Sequence, residues 1–132
     1  MNWTKVLIAG VAGGVAMTLS DYVLHGMVMA STYAGLPDVF SQEQSNPAWF
    51  FVIGACMGIA AAMLYAKTAG SWSGGWQGGA TYGFFLGLIA FFSGFYNTLV
   101  IEGFPYYLAW CQGGIALIGA VIMGLVIGLL YK

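Results

Sequence analysis

Four long stretches of this 132-residue chain are almost free of charge, and they leave it one class of fold. Residues 6–30 hold one acid, Asp21, and the chain's single histidine, His25. Residues 48–66, 76–101 and 106–131 hold no Asp, Glu, Lys or Arg. A hydrocarbon layer about 30 Å thick takes about 20 apolar residues at about 1.5 Å of rise each. Backbone N–H and C=O groups find no water in that layer, so an unbroken apolar run crosses it as a helix. The pattern predicts an all-α integral membrane four-helix bundle, one domain over residues 1–132. The first span is long for a signal-peptide core and carries Asp21, so it is read as a retained helix.

Composition points the same way. The chain is 61% hydrophobic and 5% charged, against about 25% charged in an ordinary soluble domain. The bilayer is the expected partner. A net charge of -1 supplies no basic patch, so nucleic acid is not.

The lysines set the expected orientation. Lys5 precedes the first span, Lys67 follows the second and Lys132 ends the fourth, whereas Asp38, Glu43 and Glu102 fall on the other side. Lysine near span ends marks the cytoplasmic face. Both termini are expected in the cytoplasm of a bacterial cell, with the protein multi-pass in the inner membrane. Trp3, Tyr65, Trp72, Trp76 and Tyr131 flank the lysine side, and Tyr33, Trp49, Tyr106, Tyr107 and Trp110 the other, as interfacial belts do. The outer segment 31–47 is polar, and the run from Asp38 to Gln44 is expected to form a short surface helix behind Pro37. The Gly/Ser-rich segment 67–75 reads as a connector and 102–105 as a tight turn.

Residues 57–65 (MGIAAAMLY) resemble residues 123–131 (MGLVIGLLY), and Gly13-Gly14 resembles Gly78-Gly79. Two copies of a two-helix hairpin, parallel repeats about an axis normal to the membrane, are one reading. Chance likeness between Gly-rich apolar segments is the other.

Glycine recurs every four residues: Gly75, Gly79, Gly83 and Gly87 in the third span, Gly10 and Gly14 in the first, Gly54 and Gly58 in the second, Gly124 and Gly128 in the fourth. Small residues at this spacing let helices approach closely in lipid. They are expected to pack helices within the chain, or to face a second copy or a larger membrane complex.

Asp21 and His25 stand four apart and so on one helix face, which is expected to include Gly10, Gly14 and Thr18. Buried charge in a membrane pairs or faces a cavity. Ser93, Asn97 and Gln112 lie at similar depth on other spans, so Asp21, His25, Asn97 and Gln112 are candidates for an outward polar pocket. The pair is read either as architecture, an ion pair or hydrogen bond fixing register, or as a proton-linked site. His25, Met29 and Cys56, with Met27 and Cys111, are weak candidates for soft-metal ligands such as Cu(I) would take, but no C-x-x-C or H-x-x-x-H motif is present. A Cys56–Cys111 disulfide requires the second and fourth helices to adjoin. One histidine, no arginine and no nucleophile motif argue against an enzyme, and no cofactor is expected.

Gly13-Gly14, Asp21, His25-Gly26, Tyr33 and the closing Gly124–Tyr131 run give the chain a D-x-x-x-H-G segment early in a four-span protein. In this it resembles the small bacterial four-span inner-membrane proteins that form a domain of unknown function. The resemblance implies the topology and no mechanism. A non-catalytic structural or interaction subunit, or a homo-oligomeric bundle, is the leading expectation. A minimal transporter or channel around Asp21 and His25 is the alternative, with soft-metal binding a further one.

Overall fold

The computed structural model describes residues 1–40 and 46–132. It is all-α, with no strand among the described residues. Helix α1 runs Trp3–Val23 and widens into a π turn, Leu24–Val28. A short helix α2, Ala30–Ala34, follows. Helix α3 is Ala48–Thr68, α4 Gly75–Ser93, α5 Phe95–Val100 and α6 Tyr106–Leu130. Four segments, Trp3–Val28, Ala48–Ser71, Gly75–Val100 and Tyr106–Leu130, are long and apolar enough to cross a membrane. They overlap the four charge-poor stretches, and the chain is a membrane-spanning four-helix bundle.

Local chemistry sets the helix ends. The Asn2 side chain caps α1 by accepting from the Lys5 N–H at 3.1 Å, satisfying one of the orphan donors of the first turn. Gly103 turns between α5 and α6 with φ +79, a conformation that favours glycine. Pro105 then precedes α6, where its missing N–H costs nothing. Between α2 and α3 the expected surface helix does not begin at Pro37. The N–H groups of Val39 and Phe40 instead close a turn on the Leu36 carbonyl, at 3.1 and 3.0 Å. The remainder of that expected helix, with Glu43, lies outside the described residues.

The helices pack in the order α3, α1, α6, α4. The α4–α6 pair meets most extensively, then α1–α3, then α1–α6, while α3 and α6 barely touch. Two antiparallel hairpins, α1–α3 and α4–α6, are thus joined mainly through α1 and α6. Each hairpin closes on glycine. A Cβ on Gly14 would overlap the Gly54 carbonyl oxygen, and one on Gly58 the Gly10 carbonyl oxygen. A Cβ on Gly124 would overlap the Gly79 carbonyl oxygen, one on Gly83 that of Ala120, and one on Gly128 would lie 2.7 Å from the Gly79 Cα. Gly87 packs on Leu117. Side chains at these positions would drive the backbones apart, which is why small residues occupy them.

Gly58 and Gly124 hold the same place in the two crossings, in line with the likeness of residues 57–65 to 123–131. The first helices correspond differently from the sequence alignment: Gly10, not Gly14, is the counterpart of Gly79, one turn away. The docking of the hairpins is also lopsided, since α1 and α6 meet along their length while α3 and α4 meet through few side chains.

Lys5, Lys67 and Lys132 all lie at one end of the bundle, in the first turn of α1, the last turn of α3 and after α6. Towards this end an aromatic group ties α3, α4 and α6. The Tyr82 hydroxyl donates to the Ala61 carbonyl at 2.6 Å, and Tyr65 packs edge-on against Tyr82 and Tyr131. Lys5 Nζ donates to the Lys132 carbonyl. The buried core cluster of Val6, Met17, Ala61, Ala62, Tyr65, Tyr82, Met123 and Ile127 lies in this half and at mid-depth.

Candidate functional site

The polar residues of the far half gather along the seam between α1 and α6. Helix α1 presents two adjacent stripes. Gly10, Gly14 and Thr18 meet α3, and the buried Thr18 hydroxyl donates to the Gly14 carbonyl at 2.9 Å and to the Phe50 carbonyl at 3.4 Å. Gly13, Met17 and Asp21 meet α6: Gly13 faces Ile127 and Met123, and Gly119 faces Met17 and Asp21. Asp21 is therefore not on the Gly10–Gly14–Thr18 face. Three residues past Thr18 is about 300° of helix, which carries Asp21 to the neighbouring stripe.

Asp21 reaches towards α6. A Cβ on Gly119 would lie 3.0 Å from its Oδ1, so the bare backbone of Gly119 makes room for the carboxyl. That Oδ1 is buried and has no hydrogen-bond partner among the described residues. Among the described residues, the only other such side-chain atom is Thr98 Oγ1 on α5.

His25 takes a different partner. Its Nδ1 lies 2.5 Å from the Tyr33 hydroxyl, and the two rings stack at 5.9 Å between centroids. Gln112 of α6 donates from Nε2 to the same hydroxyl at 3.5 Å. The Tyr33 hydroxyl thus bridges the His25 ring and the Gln112 amide. Beyond Tyr33 the row continues through Phe40, 4.7 Å between centroids, to Phe104 at 6.0 Å. The cluster thus ties α2 and the turn behind it onto α1 and α6. Burial of Tyr33 pushes its hydroxyl above the ordinary tyrosine range, which keeps it a neutral donor and acceptor.

Asp21 and His25 do not meet. No ion pair or hydrogen bond joins them among the described residues. Asp21 turns to Gly119 and His25 to Tyr33. The backbone between them is α-helical, with Val23 and Leu24 at ordinary helical φ and ψ, and the ladder widens to a five-residue step only beyond, where the Met29 N–H bonds the Leu24 carbonyl at 3.0 Å, so the two side chains part by taking different partners.

Other candidates scatter. Asn97 is exposed on α5, and Ser93 is exposed with its hydroxyl turned to the Ala90 carbonyl at 2.8 Å; neither joins the cluster. Gly54 and Gly58 lie opposite Gly14 and Gly10, so the exposed Cys56 is about three and a half helical turns below His25 and cannot share a ligand with it. His25, Met29 and Cys56 are not brought together, and no group of three His, Cys, Asp or Glu side chains converges among the described residues. Cys56 and Cys111 are free thiols on helices that barely touch. Two surface grooves, of about 460 and 400 Å³, are lined by Ala16, Leu19, Val23 and Ile122 and by Ile89, Phe92 and Tyr96 among others. Neither includes Asp21, His25, Asn97 or Gln112.

Sequence reasoning placed Tyr33 in an interfacial belt and passed over Gly119. Both had a signal. Tyr33 stands eight residues after His25, about two turns on, and Gly119 seven after Gln112, on the same face of its helix. Comparison with family models, curated proteins and solved structures finds no match.

Proposed function

We propose that the chain is a non-catalytic structural or interaction protein of the bacterial inner membrane, akin to the small four-span proteins it resembles. Both termini and the 67–75 segment face the cytoplasm. One observation carries the reading. The polar part of the α1–α6 seam begins at Asp21 and runs only to the far end, where His25, Tyr33 and Gln112 are spent on fastening α2. Towards the lysine end the seam is Met17, Gly13, Met123 and Ile127, an apolar stretch with nothing to pass a proton or an ion. The glycine stripes are occupied inside the chain. A second copy or a larger complex therefore docks through lipid-facing side chains such as Ile89, Phe92 and Leu99, which are exposed.

The transporter reading draws support from one feature, the partnerless Asp21 oxygen, since a carboxyl at depth commonly marks an ion or proton path. Reconstitution into proteoliposomes separates the two. The structural reading expects proton and alkali-cation leak equal to that of protein-free vesicles, in wild type and Asp21→Asn alike. A flux present in wild type and lost in Asp21→Asn overturns it. Orientation is tested separately with Ser71→Cys, which an impermeant thiol reagent should leave unlabelled in intact cells and label after lysis.

A further inference from the structure

We propose that the two hairpins rock against each other as rigid bodies, closing and opening the outer half of the seam between α3 and α4. This goes beyond the functional reading and does not depend on it.

The likeness of the hairpins shows what is unusual about that seam. With Gly10 matched to Gly79 and Gly58 to Gly124, the α3–α4 seam is the counterpart of the α1–α6 seam. Gly13 then matches Tyr82, and Ile127 matches Ala61. Both pairs touch, with the sizes exchanged. A Cβ on Gly13 would lie 3.0 Å from the Ile127 side chain, while the Tyr82 hydroxyl reaches the Ala61 carbonyl at 2.6 Å. Further out the likeness ends. On the α1–α6 side Met17 and Asp21 meet Gly119, and Met123 is 4% exposed. The counterparts of these four are Leu86, Ala90, Ile53 and Met57. Ile53 is 55% and Met57 51% exposed, and α3 and α4 barely touch. The seam is thus closed towards the lysine end and open beyond Tyr82, whose ring stands where α1 has glycine.

Two kinds of contact decide what can move. Inside each hairpin glycine puts backbone on backbone, as at Gly58 on the Gly10 carbonyl and Gly124 on the Gly79 carbonyl. Such a contact has no side chain to rearrange, so each hairpin moves as one piece. Between the hairpins the ends of side chains meet, Met17 and Met123 among them. Methionine has three rotatable bonds and refills a gap that changes shape. Hydrogen bonds tie the hairpins at two places: Tyr82 on Ala61, and Tyr33 between His25 and Gln112 at the outer end of α1–α6. The remaining ties, from Lys5 to the Lys132 carbonyl and from the Asn2 N–H to the Tyr131 hydroxyl, are exposed at the lysine end. A diagonal line through Tyr82 and Tyr33 is the axis that breaks neither of the first two. Rotation about it brings Ile53 and Met57 onto Leu86 and Ala90, the packing α1 and α6 already show. At the opposite corner it draws Gly13 off Ile127. This is hinge motion between packed elements.

Spin labels read the motion in lipid bilayers by pulsed electron paramagnetic resonance. Cys56→Ser and Cys111→Ser clear the background. Ile53→Cys with Ile89→Cys, both at exposed positions, places one label on each side of the open seam. Leu19→Cys with Ile53→Cys, and Ile89→Cys with Ile118→Cys, are the controls within each hairpin. Both controls are expected to give narrow distance distributions. The pair across the seam is expected to give two distances, or one distribution clearly broader than either control. A pair across the seam as narrow as the controls overturns the proposal, as do controls as broad as that pair. Wild-type protein carrying ¹³C-methyl methionine is the second readout, free of any substitution. Relaxation dispersion at the Met57 methyl on the μs–ms scale supports the rocking, and a flat profile overturns it.

Discussion

Two kinds of seam hold this bundle together, and they solve the membrane problem differently. Within each hairpin, α1 against α3 and α4 against α6, backbone lies on backbone. Gly14 sits on Gly54, Gly58 on Gly10, Gly83 on Ala120 and Gly124 on Gly79, with no room for a Cβ. Between the hairpins, α1 meets α6 through side chains: Met17, Met123 and Ile127 towards the lysine end, then Asp21, His25 and Gln112 beyond. Lipid is as apolar as leucine, so burying leucine drives no association; close van der Waals contact and hydrogen bonds must do it. The glycine seams use the first and tolerate no added atom. The α1–α6 seam mixes side-chain packing with a few hydrogen bonds, and flexible ends give it slack.

That contrast predicts a graded set of outcomes. The largest belongs to Gly58→Leu and Gly83→Leu, which force two backbones apart. Each should cost about 3 kcal/mol or more, read as loss of the folded species in detergent or a steep fall in thermal midpoint, and well beyond the cost of Leu88→Ala. Next is Gly119→Leu in the α1–α6 seam. Its Cβ meets the movable ends of Asp21 and Met17, at 3.0 and 3.1 Å, so about 1–2 kcal/mol is expected. If Gly119→Leu proves as damaging as Gly58→Leu, the two seams are of one kind and the comparison breaks.

Tyr82→Phe removes the hydroxyl bonded to the Ala61 carbonyl, the strongest polar tie between the otherwise separate α3 and α4, and should cost about 1 kcal/mol in thermal unfolding. Tyr33→Phe removes the partner shared by His25 and Gln112 and should cost less, about 0.6 kcal/mol. Smallest is Gly114→Ala. Nothing lies within 4 Å of its Cβ position, so the bundle should be unchanged or slightly more stable through helix propensity. A marked loss there would reveal a packed surface on α6 opposite the two seams, and with it a partner.

The spans were legible because charge is so expensive in hydrocarbon that its absence over residues 48–66, 76–101 and 106–131 has few other meanings. Glycine spacing was legible as a packing signal, but which helix each stripe met was not. Gly10 and Gly83 carry identical local patterns, and only the docking of the hairpins assigns one to α3 and the other to α6. The Asp21 face was misjudged by one stripe, because Thr18 and Asp21 are three residues apart and a three-residue step lags the four-residue one by about 100°. The separation of His25 from Asp21 was invisible for a different reason. The four-residue spacing says only that the two can meet, and the partners that hold the His25 ring, Tyr33 and Gln112 behind it, come from other elements. Asn97 looked equivalent to Gln112 by depth alone, yet Gly94 and the short α5 leave it on the exposed side.

The central claim is that the glycine stripes are spent inside one chain, and isotope dilution tests it most directly. Uniformly ¹³C-labelled protein is reconstituted in bilayers with an excess of unlabelled protein, and the Gly14–Gly54 and Gly83–Ala120 contacts are read by solid-state NMR. Intramolecular seams predict cross-peaks whose intensity per labelled chain is the same with and without dilution. Cross-peaks that fade in proportion to the unlabelled excess would place those stripes between chains and contradict the account.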